Sequence, residues 1–135
     1  MNRTYRLRKN RDYQRVYRRG KSVGSHLMAL VYVRAPGGLK IGFSASKKIG
    51  NAVTRNRARR RMRECVRVRI PRIKSGWHMV FIARRSIADA PFSGIEKCVD
   101  KLLTQANLWR SAETSGAARE REARPVAPGK EAAEP

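Results

Sequence analysis

Apolar residues recur along this chain with two periods, and each period marks an element. Between Asn10 and Arg19, Tyr13, Val16 and Tyr17 fall at the i, i+3, i+4 spacing of one helical face. Asn10 is placed to cap that helix and Gly20 to end it. From Leu27 to Arg34 the residues are aliphatic or β-branched, and the cluster Ala35-Pro36-Gly37-Gly38 supplies turn chemistry. Leu39 to Ala45 then alternates, with Leu39, Ile41, Phe43 and Ala45 on one face and Lys40, Gly42 and Ser44 on the other. The pattern predicts a hairpin with one core face and one face free for a ligand.

Asn51 to Ile70 suits a long helix, capped by Asn51 and stopped by Pro71, because proline disfavours helical geometry in the residue before it. His78 to Ala83 is a short apolar run bounded by Gly76 and Arg84-Arg85, and reads as a central strand. Ser93 and Glu96 form a capping box ahead of Ile95, Val99, Leu102, Leu103 and Ala106, an amphipathic helix ending near Trp109. The order is α-β-β-α-β-α, an α+β class with room for a further short strand. Beyond Arg110 the only aliphatic residue larger than alanine is Val126, too little to offset the entropy of ordering. One folded domain over 1–110 and a disordered tail over 111–135 are expected, with no internal repeat.

Charge changes the picture. The formal net charge is +22, far beyond what solubility asks for, and a polyanionic partner is the simplest neutralising agent. Four cations against five acids leave residues 111–135 at −1, so the first 110 residues carry +23. No run of about 18 apolar residues exists and the N-terminus leads into charge, so neither a membrane span nor a secretory segment is expected and the cytoplasm is the default location. Cys65 and Cys98 sit on apolar helical faces without metal-ligand spacing, and read as reduced core residues.

The charge concentrates in one helix. At about 100° per residue, Ala58, Met62, Cys65 and Val66 share one stripe, the core face. Asn56, Arg57, Arg59, Arg60, Arg61, Arg63 and Arg67 fill most of the remaining circumference with one acid, Glu64, among them. A solvated surface is the ordinary reading of a charged face. Here like charges at i, i+4 cost a few tenths of a kcal/mol per pair, and Arg55 and Arg57 stand in the first turns, where the macrodipole disfavours cations. Phosphate contacts offset both costs. Lys47-Lys48-Ile49-Gly50 extends the surface toward the free N–H groups of the helix start. The glycine spacing of a nucleotide-binding loop is lacking, which argues against a mononucleotide site.

Tyr13 and Tyr17, four apart, suit core packing, while aromatics bordering a basic surface also stack unpaired bases at roughly 1–3 kcal/mol each. The two roles are compatible. Catalytic groups are scarce: His26 and His78 have no carboxylate near them in sequence, and only Asp12, Glu64, Asp89, Glu96 and Asp100 are acidic within 1–110. Two-metal nuclease chemistry needs a carboxylate cluster, so any chemistry lies with a partner.

The segment Lys47-Lys48-Ile49-Gly50-Asn51-Ala52-Val53 with Arg55-Asn56-Arg57 resembles the signature of the bacterial ribonuclease P protein component. So do Leu7-Arg8-Lys9-Asn10 with Asp12-Tyr13, Val16-Tyr17, Gly20, Ser22-Val23 and the strand end Ile82-Ala83-Arg84. The likeness covers residues 3 to 110. It implies a small α/β sandwich with a left-handed βαβ crossover, an exception to the usual handedness. It further implies a protein cofactor of the RNase P ribozyme, whose catalytic RNA removes the 5′ leader of precursor tRNA with Mg2+ held by RNA and substrate and not by a clear protein site.

By position, the resemblance assigns Lys47, Lys48, Arg55, Asn56, Arg57, Arg59, Arg60 and Arg63 to RNA binding. It assigns Tyr13, Tyr17, Ala29, Val31 and Ser44 to the leader cleft. Val31 stands where some members carry a polar aromatic, with Tyr32 one residue off and facing the other way. Arg61 stands where relatives often have an aliphatic residue, and either extends the basic surface or reaches solvent by its stem. Two other classes compete: a general structured-RNA-binding or ribosomal protein, and a DNA-binding or chromatin-like protein. The latter is weakest, since neither helix-turn-helix spacing nor a zinc ligand set is present.

Overall fold

Each apolar run marked as a strand enters one sheet, but the two expected to form a hairpin do not pair. The computed structural model describes residues 3–110; the expected tail, 111–135, lies outside the described residues. The strands are β1 (Lys21–Gly24), β2 (Met28–Arg34), β3 (Lys40–Ser44) and β4 (Trp77–Ala83), in the sheet order β1-β2-β4-β3. β4 runs antiparallel to β2 and parallel to β3, which corrects the hairpin expectation. The reason lies in β4 itself. Met79 and Phe81 bury one face and Val80 the other, each fully, so the strand needs a neighbour on both edges and takes the centre. β1, a polar edge strand paired to β2, is the further short strand.

Three helices cover the sheet: α1 (Asn10–Arg19), α2 (Ala52–Arg67) and α3 (Phe92–Gln105). α2 and α3 lie on the face carrying Met28, Leu30, Ile41, Met79 and Phe81, and build the main core there with Ala58, Met62, Cys65, Val66, Val99, Leu102 and Leu103. The buried residues of α2 are the four of the expected stripe. α1 lies on the other face, where Val16 meets Leu7 and Val80 in a smaller cluster. β3, α2 and β4 form the parallel crossover.

Several helix ends differ from expectation. Lys9, not Asn10, is the N-cap of α1. Gly20 ends α1 in extended geometry, so close approach and not backbone freedom demands glycine: a Cβ there would sit 2.4 Å from the Val16 carbonyl oxygen. The expected capping box on α3 does not form, because the helix starts at Phe92 and Ser93 is already inside its first turn. Glu96 instead faces Arg69. That guanidinium is buried; it bonds Asp100 at 2.5 and 3.2 Å and the Cys65 carbonyl at 2.6 Å, and lies 3.8 Å from Glu96, tying the end of α2 to α3. α2 ends at Arg67, and α3 ends at Gln105 with Asn107 at φ 57° turning the chain toward Trp109. Cys65 and Cys98 are free and buried, and burial pushes the Cys65 thiol up to about 11.

Candidate nucleic-acid interface

Strand register sorts the α1 side of the sheet into three rows. Ala29, Ile82 and Ser44 form the first, Val31, Val80 and Gly42 the second, Val33, His78 and Lys40 the third. α1 lies over the second row, where Val16 packs on Val80. Ala29, Ile82 and Ser44 are only partly buried and form an accessible floor.

Tyr13 borders that floor by lying against the sheet. A Cβ on residue 42 would stand 2.5 Å from the Tyr13 hydroxyl and 2.6 Å from its Cζ, so Gly42 is what lets the ring settle. Burial pushes the Tyr13 hydroxyl above its ordinary pKa, opposed chiefly by a backbone hydrogen bond at Phe43, and the phenol stays protonated. Tyr17 is 40% exposed, its ring 6.3 Å from that of Tyr13. The pair divides the two expected roles: Tyr13 half packs and Tyr17 faces outward. Tyr32 turns to the opposite face, as its register requires, and packs against Trp77.

The basic segment starts in a 3-10 turn at Lys47–Ile49, where Ser46 Oγ accepts from the Lys48 amide at 3.3 Å and leaves both lysines exposed. Asn51 caps α2, its Oδ1 accepting from the Thr54 amide at 2.9 Å and from Thr54 Oγ1 at 3.0 Å. The helical arginines then part. Arg55 donates to the Gly50 carbonyl at 3.1 Å, bracing the helix entry. Arg57 and Arg60 are exposed, and Arg59 donates to the Asn56 side chain. Arg63 leans over the Phe43 ring at 5.8 Å. Arg61 joins neither set: it donates to the carbonyls of Ala90 at 2.6 Å and Ile87 at 3.4 Å, fastening the turn at Arg85–Asp89 onto α2. Its guanidinium therefore ends on protein carbonyls.

Sequence periodicity missed the N-terminal segment. Arg6 bridges to Ile41 and the Leu7 amide donates to the Ile41 carbonyl at 3.0 Å, so the chain runs along the free edge of β3. That placement brings Arg6 and Arg8 to Arg59, Arg63 and Tyr13 around a cavity of about 380 Å³. Burial and the neighbouring Arg6 and Arg59 hold the Arg63 guanidinium below the usual arginine range. Four guanidiniums converge there. Arginine's planar donor fork suits phosphate oxygens, and a tyrosine beside it suits a base. Gly42 and Ile82 are the other members that sequence reading missed.

The acids do not fit a protein metal site. Glu64 pairs with Arg67 at 3.1 Å, and Glu96 and Asp100 face Arg69. Among the described residues no three His, Cys, Asp or Glu side chains converge, and no helix is long and apolar enough to cross a membrane.

Comparison with known proteins gives one answer. The family model described as Ribonuclease P matches residues 1–107. A ribonuclease P protein component from Symbiobacterium thermophilum is 38% identical over 110 residues, covering 80% of this chain and 96% of that protein. One from Roseiflexus castenholzii is 42% identical over 116 residues, covering 83% and 93%. Among solved structures, the Staphylococcus aureus RNase P protein superposes with a TM-score of 0.72 at 31% identity, covering 78% of this chain and 98% of that one. The Thermotoga maritima RNase P protein, solved with 1-(4-fluorophenyl)-2-thiourea, gives 0.68 at 25% identity, covering 74% and 98%.

Proposed function

Because this chain belongs to the ribonuclease P protein family, and is thereby the protein subunit of a tRNA-processing ribonuclease, we propose how its surface divides that work. The exposed arc of Lys47, Lys48, Asn56, Arg57 and Arg60, with Arg55 bracing its entry, docks the catalytic RNA. The cavity of Arg6, Arg8, Arg59 and Arg63 takes leader phosphates of precursor tRNA. Tyr13 and Tyr17 receive leader bases over the floor of Ala29, Val31, Ile82 and Ser44. The observation that carries this reading is the meeting of four guanidiniums with a tyrosine beside an open row of the sheet.

The protein supplies position and charge. Docked guanidiniums neutralise phosphates of two RNAs that would otherwise repel, and they lower the amount of magnesium that screening demands. Mg2+ is assigned to RNA and substrate, since the carboxylates here are engaged with arginines or stand apart. The family likeness disfavours a general RNA-binding role, and the cytoplasm is the compartment this reading implies. Reconstitution tests it: with the cognate catalytic RNA, adding this protein should restore precursor tRNA cleavage at a magnesium concentration where the RNA alone is nearly inactive. No rate gain at any magnesium concentration overturns the reading.

A further inference from the structure

The turn that Arg61 fastens reaches back to the lysines at the start of the basic segment. Arg85–Asp89 is anchored on three sides. Arg61 ties it to α2 through the Ile87 carbonyl at 3.4 Å and the Ala90 carbonyl just past it at 2.6 Å. Ser86 Oγ donates to the His26 carbonyl, and the Arg84 amide donates to the Leu27 carbonyl at 2.9 Å, which ties its start to the loop between β1 and β2. The Ile87 side chain is fully buried in the main core, in the same cluster as Ile49. From this fixed turn, Arg85 Nε donates to the Lys48 carbonyl at 3.3 Å.

Lys47 and Lys48 need such a tie. They stand exposed in the single 3-10 turn Lys47–Ile49, where hydrogen-bond geometry is poorer than in an α-helix. That turn joins α2 through Gly50 at φ 149°, a backbone conformation that residues with side chains rarely adopt. Contacts from outside the turn therefore set where the two ammonium groups stand. A loop that must be ordered on binding gives up affinity, and one already held does not. The same tie accounts for the setting of Arg61. Burial, with Arg57 beside it, holds its guanidinium below the usual arginine range, and a half-buried cation is tolerated where its N–H groups are met.

We propose that Arg61 is a positioning residue for RNA docking: it holds the Arg85–Asp89 turn on α2, and that turn, through Arg85 on the Lys48 carbonyl, holds Lys47 and Lys48 in place before the catalytic RNA arrives. Arg61 itself makes no RNA contact; its effect on RNA is carried by the two lysines. The inference rests on the docking role given to those lysines above.

Arg61→Leu is introduced into the full-length protein in three backgrounds, unmodified, Lys47→Gln/Lys48→Gln and Arg60→Gln, and each protein is titrated with the cognate catalytic RNA across a KCl series. Arg61→Leu weakens binding about fivefold in the unmodified and Arg60→Gln backgrounds and by less than about twofold where both lysines are gone, the non-additivity of residues that act as a unit. In that lysine-free background it leaves the slope of log Kd against log salt unchanged, whereas loss of a direct phosphate contact would lower the slope by about one. Amide exchange in the free protein gives a second readout. The Ile49 and Gly50 amides, which donate to the Ser46 and Lys47 carbonyls, exchange several-fold faster in Arg61→Leu, while those of Met79 and Phe81 in β4 keep the wild-type rate. Equal weakening in all three backgrounds, no weakening in any, or unchanged exchange at Ile49 and Gly50 overturns the positioning role. The docking reading fails separately, if Lys47→Gln/Lys48→Gln and Arg60→Gln each bind as the wild type does. Should Arg61→Leu not fold, Arg85→Ala, at an exposed position, takes its place in the same cycle with the same outcomes.

Discussion

Single residues set the cleft more sharply than charge does. Gly42 has no side chain to offer, yet it determines where Tyr13 lies, because any Cβ would strike the ring. Gly42→Ala should therefore displace Tyr13 and cost about 1 kcal/mol or more of the preference for precursor over mature tRNA, within the range of one base stack. Tyr13→Ala should lose the same preference. Paired binding measurements on the two tRNAs check this, with circular dichroism confirming the fold; an unchanged preference removes Tyr13 from the leader site. Residue identity alone did not reveal Gly42, since a glycine in an alternating strand reads as a ligand-side gap or a bulge until the facing helix is in place. The arc of Arg57, Arg59, Arg60 and Arg63 was legible because helical period fixes it. Arg61 belonged to the same arc by period, but the carbonyls that claim it come from residues 87 and 90, which no local rule brings near.

At the scale of elements, the junction between α1 and the sheet carries a pH dependence. His78 lies in the third row, its Nδ1 buried without a hydrogen-bond partner among the described residues. Burial holds its imidazole below 6.5, with Asp12 opposing and Arg15 and Lys40 reinforcing that shift. The unfolded chain then takes up the proton first, so this contribution to stability is full above pH 6.5 and is lost as the pH falls beneath it. Denaturant unfolding between pH 7.5 and about 5 should show that decline, and His78→Phe should flatten it; an unaltered profile in the variant assigns the decline elsewhere. Alternation made β3 legible and apolar runs made β2 and β4 so, while the polar β1 had no such signal and strand partnership was not legible for any of them. The turn at 35–38 looks like a hairpin turn by its residues, and only β4, buried on both faces and arriving from beyond α2, displaces β3 from the edge of β2. Arg6 and Arg8 were hidden for the same reason: their place depends on a bridge to Ile41.

For the whole molecule, +23 over the first 110 residues dominates. The ion pairs among the described residues involve only Arg67 and Arg69, so repulsion outweighs attraction. Raising monovalent salt from about 0.05 to 0.5 M should lift the melting temperature by several degrees, because screening relieves that repulsion. Calorimetry reads it, and a falling melting temperature would mean that the few pairs matter more than the excess charge.

The central position of β4 has a consequence for synthesis. A ribosome delivers β1, β2, β3 and the whole arginine helix before residue 77 emerges, and until then β2 and β3 present bare edges with no strand between them. Distant pairing of this kind closes slowly. The nascent chain thus exposes its most cationic segment to surrounding polyanions before it owns a finished sheet, and the last strand to complete that sheet is the one that ends its vulnerability.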